Sequence, residues 1–317
     1  MTLRVAITGV SGDVGRGAIL GLQGNPADAE PIWILGLDAI ADFPSKRFLD
    51  CFVRLPLVKE GGYVDALSAT LEAHKIDVLL AGIDSEISLL SAARHRLPTA
   101  TKVPLAPTKL VEAADDKLLT AEFLSSCGIG APVTCTAVAP VDIGLPVVAK
   151  PRRGHGSQGV TILYDREALQ AFLETRPQNY CLQRYIEGQE ITVGFLYDSV
   201  GVMRDAIAME RTLEGGRTVR AKVLDDLSIL RFMEEFGRKV PGIGAINAQL
   251  RWHEHEGPMV FEINARLSGS TEMRVAVGFN DPLRLAQHFG RGMPITRAQP
   301  SPALVRRLGA DLSVEPC

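Results

Sequence analysis

Near the end of the chain, Glu262, Asn264 and Arg266 alternate with Phe261, Ile263 and Ala265. On a strand, that period of two sets a carboxylate, an amide and a guanidinium on one face, about 7 Å apart. Carboxylate and amide oxygens are hard ligands suited to Mg²⁺, and the guanidinium fork suits a phosphoryl group. One polyphosphate and its metal ion could touch all three, although a solvated amphipathic strand shows the same alternation. Upstream, Lys150 ends the apolar run Pro146-Val147-Val148-Ala149 and leads into Arg152-Arg153-Gly154-His155-Gly156-Ser157-Gln158-Gly159. A lysine in that position is aimed at an anion, and a Gly-rich hairpin between strands can fold its N–H groups over phosphates. It is not a Walker loop, which needs Gly-Lys-Ser/Thr entering a helix.

Other groups are less specific. Tyr180 to Ile186 and Glu187 to Val193 read as strand, turn and strand, with two acids flanking Gly188. Such a turn can offer a C=O and an N–H to an adenine edge and a carboxylate to a ribose; it can equally be an acidic hairpin. Lys117 stands in the first turn of a predicted helix, where a cation opposes the macrodipole. Asp84 and Glu86 follow a predicted strand at a carboxyl end, where α/β ligand sites lie, or simply favour a helix start. His253 and His255 are two ligands on an exposed hairpin, too few for a zinc site. Thr8-Gly9-x-x-Gly12-x-x-Gly15 with Asp38 is similar to the fingerprint of nucleotide-sugar epimerases and short-chain dehydrogenases. No tyrosine here has a lysine four residues on, as those enzymes need. The glycines are therefore expected to make a tight turn facing a substrate.

The elements that must position these groups fall into two patterns. Strands at Leu3–Thr8, Ile32–Leu37, Cys51–Leu55, Asp77–Ala81 and Lys102–Leu105 alternate with helical stretches, which predicts a parallel, Rossmann-like domain over residues 1–106. From Pro107 come two helices, a Gly-Pro linker and a succession of strands, with helices at 226–239 and after Thr271 and Asp281. The tail from Arg291 is Pro-rich and expected to be partly disordered. At 317 residues, 46% hydrophobic and 22% charged, with net charge -3, the chain is long enough for two or three cores. No basic run suggests nucleic acid, and no apolar run suggests a signal peptide or a membrane span. The cysteines (Cys51, Cys127, Cys135, Cys181 and Cys317) lack a CxxC pair and read as reduced thiols of a cytoplasmic protein.

Taken in order, Lys117, Lys150 with its Gly hairpin, Glu187/Glu190, Gln249 and Glu262-x-Asn264-x-Arg266 resemble the ATP-grasp superfamily, in the branch of carbamoyl-phosphate synthase large chains and carboxylate–amine ligases. The resemblance covers residues 1–290. It implies an α/β chain: a Rossmann-like pre-ATP-grasp domain, then a two-lobed grasp domain at 107–290 with its small lobe near 134–186. By that resemblance Lys117 and Lys150 hold ATP phosphates under Gly154, Gly156 and Ser157. Gln183, Arg184, Tyr185 and Ile186 read adenine, and Glu190 holds the ribose. Gln249, Glu262 and Asn264 hold Mg²⁺, with Mn²⁺ as the alternative ion, and Arg266 stabilises the transferred phosphoryl group. Arg211 and the Ser268-Gly269-Ser270 loop, with Asp84 and Glu86, are weaker candidates for the acceptor. Two departures stand out: Gln183 and Gln249 are amides where many relatives carry acids.

The activity implied is ADP-forming ligation of a small carboxylate to an amine through an acylphosphate. Bicarbonate or carbamate phosphorylation and a non-catalytic ATP-binding subunit are the alternatives. Substrate identity is not legible, and assembly is open, a homodimer being the commonest.

Overall fold

The computed structural model describes residues 1–26, 29–138, 140–154, 156–175, 177–309 and 311–316. His155 and Cys317, both named above, lie outside the described residues.

The chain opens with β1 (Leu3–Thr8), α1 (Asp13–Gln23), β2 (Ile32–Asp38), β3 (Cys51–Arg54), α2 (Tyr63–Ala73), β4 (Val78–Leu80) and α3 (Asp84–Ala92). The strands form a parallel sheet in the order β3-β2-β1-β4. Their near-continuous apolar runs suit a sheet covered on both faces. The strand expected at 102–105 is reduced to one bridge between Lys102 and Val78, because Pro104 has no N–H to give a ladder. Helix α3 starts at Asp84, so that Asp84 and Glu86 occupy its first turn, where acids complement the dipole.

Next come α4 (Thr108–Asp115) and α5 (Lys117–Ser126), then a small sheet of β5 (Thr134–Thr136), β6 (Val147–Pro151), β7 (Thr161–Leu163) and β8 (Tyr180–Arg184), with α6 (Arg166–Glu174) against it. Strand order is β5-β8-β6-β7, over a separate core of Ala137, Val147, Ala149, Leu163 and Leu182.

The rest builds a seven-stranded antiparallel sheet: β9 (Gln189–Tyr197), β10 (Met203–Glu214), β11 (Arg217–Leu224), β12 (Gly244–His253), β13 (Gly257–Asn264), β14 (Ala303–Leu308) and β15 (Asp311–Pro316). Its order is β13-β12-β9-β10-β11-β14-β15. Helix α7 (Leu227–Lys239) packs on one face, Phe236 stacking on Phe195 with ring centroids 4.3 Å apart. Helices α8 (Thr271–Ala276) and α9 (Asp281–Arg291) bring this sheet onto the N-terminal one. Gly17 of α1 lies so close to Thr271 that a Cβ there would sit 2.9 Å from the threonine Cβ.

The tail departs from expectation. Residues 303–316 form a hairpin that extends the sheet, with Val305 opposite Ala221, and Ala303 and Val305 buried. Alternation in Ala303-Leu304-Val305-Arg306 supplies the inward face that the preceding Pro-rich stretch obscures. Cys51, Cys127, Cys135 and Cys181 are free thiols. Among the described residues no helix is long and apolar enough to cross a membrane.

Candidate active site

Strand β13 carries Glu262 and Asn264, and β12 lies beside it with Gln249 opposite Glu262 and Asn247 opposite Asn264. Glu262 Oε1 accepts N–H bonds from Asn264 at 3.1 Å and Gln249 at 3.2 Å. Gln249 Oε1 accepts from Arg211 of β10 at 2.7 Å. An arginine only donates and an ionised carboxylate only accepts, so these neighbours fix which way the Gln249 amide faces. To give its oxygen to a metal ion beside Glu262, Gln249 must turn away from Arg211. Arg211 also pairs with Glu190 at 2.8 Å, and Glu190 receives Arg251 at 3.1 Å. Arg266, just past β13, donates to Asp84 and, at 3.4 Å, to Asn264.

Lys150 stands across from this row on β6. It is buried, donating to Gln183 Oε1 at 2.8 Å and to the Phe261 carbonyl at 3.4 Å. Burial pushes its ammonium down to about 8. The Gln183 amide also donates to Thr134 at 2.9 Å, so its oxygen is committed to the lysine. Asp116 caps α5 by accepting from Leu118 N–H at 3.0 Å and pairs with Arg152 at 2.7 Å. That anchors Lys117, whose ammonium donates to the Gly154 carbonyl at 2.9 Å.

Between the two sheets lies a cavity of about 250 Å³ with apolar walls that include Val148, Ile162, Ile186 and Phe261. Lys117, Lys150, Gly154, Gly156, Ser157, Gln183, Tyr185, Glu190, Gln249 and Glu262 also border it. Arg184 borders it too, while its guanidinium pairs with Glu256 at 2.7 Å. Ile186 is the wall that the sequence named; Val148, Ile162 and Phe261 went unread, because each looks like an ordinary apolar residue of its own strand.

A second cavity of about 470 Å³ adjoins the first at Arg211, Gln249 and Glu262. The Gly9–Gly12 turn, Asp84, Arg266 and the Ser268-Gly269-Ser270 loop border it, so the glycine turn does face a cavity. Arg217, which reaches across to Asp13, and Asn247 line it as well. Neither stood out in the sequence; the only hint for Arg217 was the Gly215-Gly216 turn before it. Gly216 packs on the Gly loop, where an added Cβ would lie 2.4 Å from the Gly156 carbonyl oxygen. A third cavity of about 300 Å³ touches Lys117, Gly154, Glu262 and Asn264. Glu262 thus borders all three.

Glu86 is a correction. It is fully buried, accepting from the Thr8 and Tyr63 hydroxyls at 2.5 and 2.7 Å, and faces the core of the parallel sheet. Burial pushes its carboxyl up to about 7. His253 Nδ1 accepts the N–H groups of His255 and Glu256 and caps their turn.

Residues 114–270 match the ATP-grasp domain family model. A probable alpha-L-glutamate ligase of Ectopseudomonas mendocina is 27% identical over 183 residues, 51% of this chain and 59% of that protein. The carbamoyl phosphate synthase large chain of Mycobacterium tuberculosis is 33% identical over 137 residues, 38% of this chain and 12% of that one. The chain thus spans about three fifths of the first relative's length and a small part of the second's. In architecture it is similar to N5-carboxyaminoimidazole synthetase from Staphylococcus aureus complexed with ADP: TM-score 0.77 at 16% identity, over 96% of this chain and 82% of that one.

Proposed function

This chain belongs to the ATP-grasp family, and on that premise we propose that it is an ATP-dependent ligase joining a small carboxylate to an amine, with release of ADP and phosphate. The observation that carries the reading is the meeting of an apolar-walled cavity and a polar one at Glu262, Gln249 and Arg211. Adenine occupies the slot walled by Val148, Ile162 and Ile186, against the backbone of residues 183–186, with ribose toward Glu190. Lys117 and Lys150 draw the phosphates to the polar end, and Gly154, Gly156 and Ser157 cover them. Glu262 and Asn264 fit a hard divalent ion, Mg²⁺ or Mn²⁺, and Gln249 joins them if it releases Arg211. When bound, that ion neutralises charge on the phosphates.

The acceptor enters from the second cavity. Its carboxylate oxygen attacks the γ-phosphorus, the bond to the β-phosphate bridging oxygen breaks, and ADP departs. Arg266 and Arg211 hold the charge on the transferring group. An amine then attacks the acylphosphate carbon, phosphate leaves, and the amine proton passes to solvent or phosphate. Closure of the Gly loop excludes water that would hydrolyse the acylphosphate.

The test is ADP release over a panel of amino acids and organic acids, each with and without an amine acceptor. Release that depends on both partners, with an amide as product, supports the ligase. Release with bicarbonate alone supports the second reading, phosphorylation of bicarbonate or carbamate, which the likeness to a carbamoyl phosphate synthase large chain favours. ATP binding without release under any condition would leave a nucleotide-binding protein.

A further inference from the structure

We propose, building on the ligase reading, that Asp38 selects the substrate of the second cavity by receiving a protonated amine. Asp38 ends β2 and borders that cavity, with 9% of its surface exposed. Its two oxygens accept the backbone N–H groups of Ser11 at 2.8 Å and Ile40 at 2.9 Å. A carboxylate offers about four acceptor sites, so two neutral donors leave room for a cation.

The other acids along the cavity are accounted for. Asp13 takes Arg217, Asp84 takes Arg266, and Glu262 lies between two amides at the phosphoryl end. The basic side chains that follow Asp38 are engaged elsewhere: Lys46 donates to the Ala41 carbonyl at 2.8 Å, Arg47 lies over the Phe48 ring, and Arg54, opposite Asp38 on β3, donates to the Ala39 carbonyl at 3.0 Å. Among the described residues no lysine, arginine or histidine pairs with Asp38. A carboxylate so deeply set calls for a counter-charge, and the open side from which one can come is the cavity.

The surroundings say what else the substrate carries. At Asp38, Ile83 and Ser85 the cavity adjoins a further chamber of about 300 Å³, walled mainly by apolar groups, Leu37, Leu55, Val58 and Tyr63 among them, and bordered also by Lys59, which does not pair with Asp38. An ammonium at Asp38 with an apolar chain in that chamber leaves a carboxylate free for the Arg266 side. The substrate class is an amino acid with an apolar side chain, acting as the acid partner. Its ammonium stays protonated throughout, so Asp38 positions and selects without exchanging a proton.

The experiment is calorimetric titration of the full chain, saturated with ADP and Mg²⁺, using L-leucine against 4-methylpentanoate and L-phenylalanine against 3-phenylpropanoate. The amino acid of each pair should bind at least about tenfold more tightly, a charged hydrogen bond's worth. Asp38→Asn should weaken the amino acids roughly 10- to 100-fold, leave ADP affinity unchanged and erase the difference within each pair. Equal binding within the wild-type pairs, or no binding of either amino acid, overturns the proposal. So does an Asp38→Asn loss equal for both members of a pair, the mark of a turn merely loosened at Ser11 and Ile40. Should Asp38→Asn not fold, the wild-type pairs alone decide. ADP release with acids that lack an amine would retain the ligase while removing this role for Asp38.

Discussion

Arg266 meets Asp84 fork to fork, Nε to Oδ1 at 2.6 Å and Nη2 to Oδ2 at 2.5 Å. The two residues are 182 positions apart, one just past β13 and the other in the first turn of α3. The pair therefore ties the large sheet to the carboxyl end of the parallel sheet and sets the guanidinium in a fixed plane. If Arg266 holds charge that develops during phosphoryl transfer, Arg266→Ala should keep ATP affinity and lower turnover by roughly 100-fold or more. Asp84→Asn leaves the guanidinium in place but loosens it, and should cost about 10-fold. Nucleotide titration beside ADP-release kinetics separates the two effects. Unchanged turnover in Arg266→Ala would remove this residue from the chemistry.

Lys150 sets a pH dependence. Burial pushes its ammonium from 10.5 to about 8, with Lys117 adding to the fall and Glu262 opposing it. Between those values the unfolded chain holds a proton that the folded chain has lost, so ligand-free stability rises with pH over that window. A polyphosphate in the first cavity has the opposite effect and draws the proton back. Nucleotide binding above pH 8 should thus take up a proton, visible as a dependence of binding heat on buffer ionisation enthalpy. Lys150→Met should abolish the uptake and weaken the nucleotide roughly 10- to 100-fold.

How far the residues alone could lead depended on whether a feature was local. The alternation of Glu262, Asn264 and Arg266 and the lysine ending the apolar strand at Lys150 are local patterns, and both lie at the cavities. The ATP-grasp fold was legible through the resemblance that these local motifs carry, although the β14–β15 hairpin was not. Pairings between distant segments were not legible. Arg217 and Asp13 are 204 residues apart, and β14 joins β11 across some 80 positions. Glu86 shows the limit most plainly. An acid in a first helical turn can face water or core, and here Thr8 and Tyr63, brought in by other elements, turn it inward.

That inward turn is measurable. The Glu86 carboxyl rises from 4.5 to about 7 because burial outweighs the two hydroxyl donors. A raised folded value means the folded chain binds the extra proton, so stability is greatest below 4.5 and falls as pH climbs through 7. The swing is roughly 3 kcal/mol. Glu86→Gln removes the titration while retaining an acceptor and a donor for the hydroxyls. Denaturant unfolding at several pH values should show the wild-type slope and a flatter mutant; parallel slopes would assign the pH dependence to other groups.

The floor of the second cavity rests on a buried ion pair. Arg274 and Asp281 are each 1% exposed and meet at 3.2 Å. Arg274 also donates to Asn247, whose Oδ1 accepts from Thr192 at 2.9 Å and which lines the cavity. Burial presses Asp281 toward its neutral form and Arg274 the same way, while each charge favours the other. Asp281→Ala leaves a guanidinium unpaired in the core and should cost about 3–5 kcal/mol. Replacing both, as Arg274→Met with Asp281→Leu, removes both charges and should cost less than the two single changes summed. Gly194→Ala attacks the same group from the other side, since its Cβ would lie 2.1 Å from Arg274 Nη1. It should be destabilising in wild type and milder in Arg274→Met. A double-mutant cycle in denaturant would read the coupling directly, and a value near zero would mean that Arg274 is held by packing rather than by Asp281.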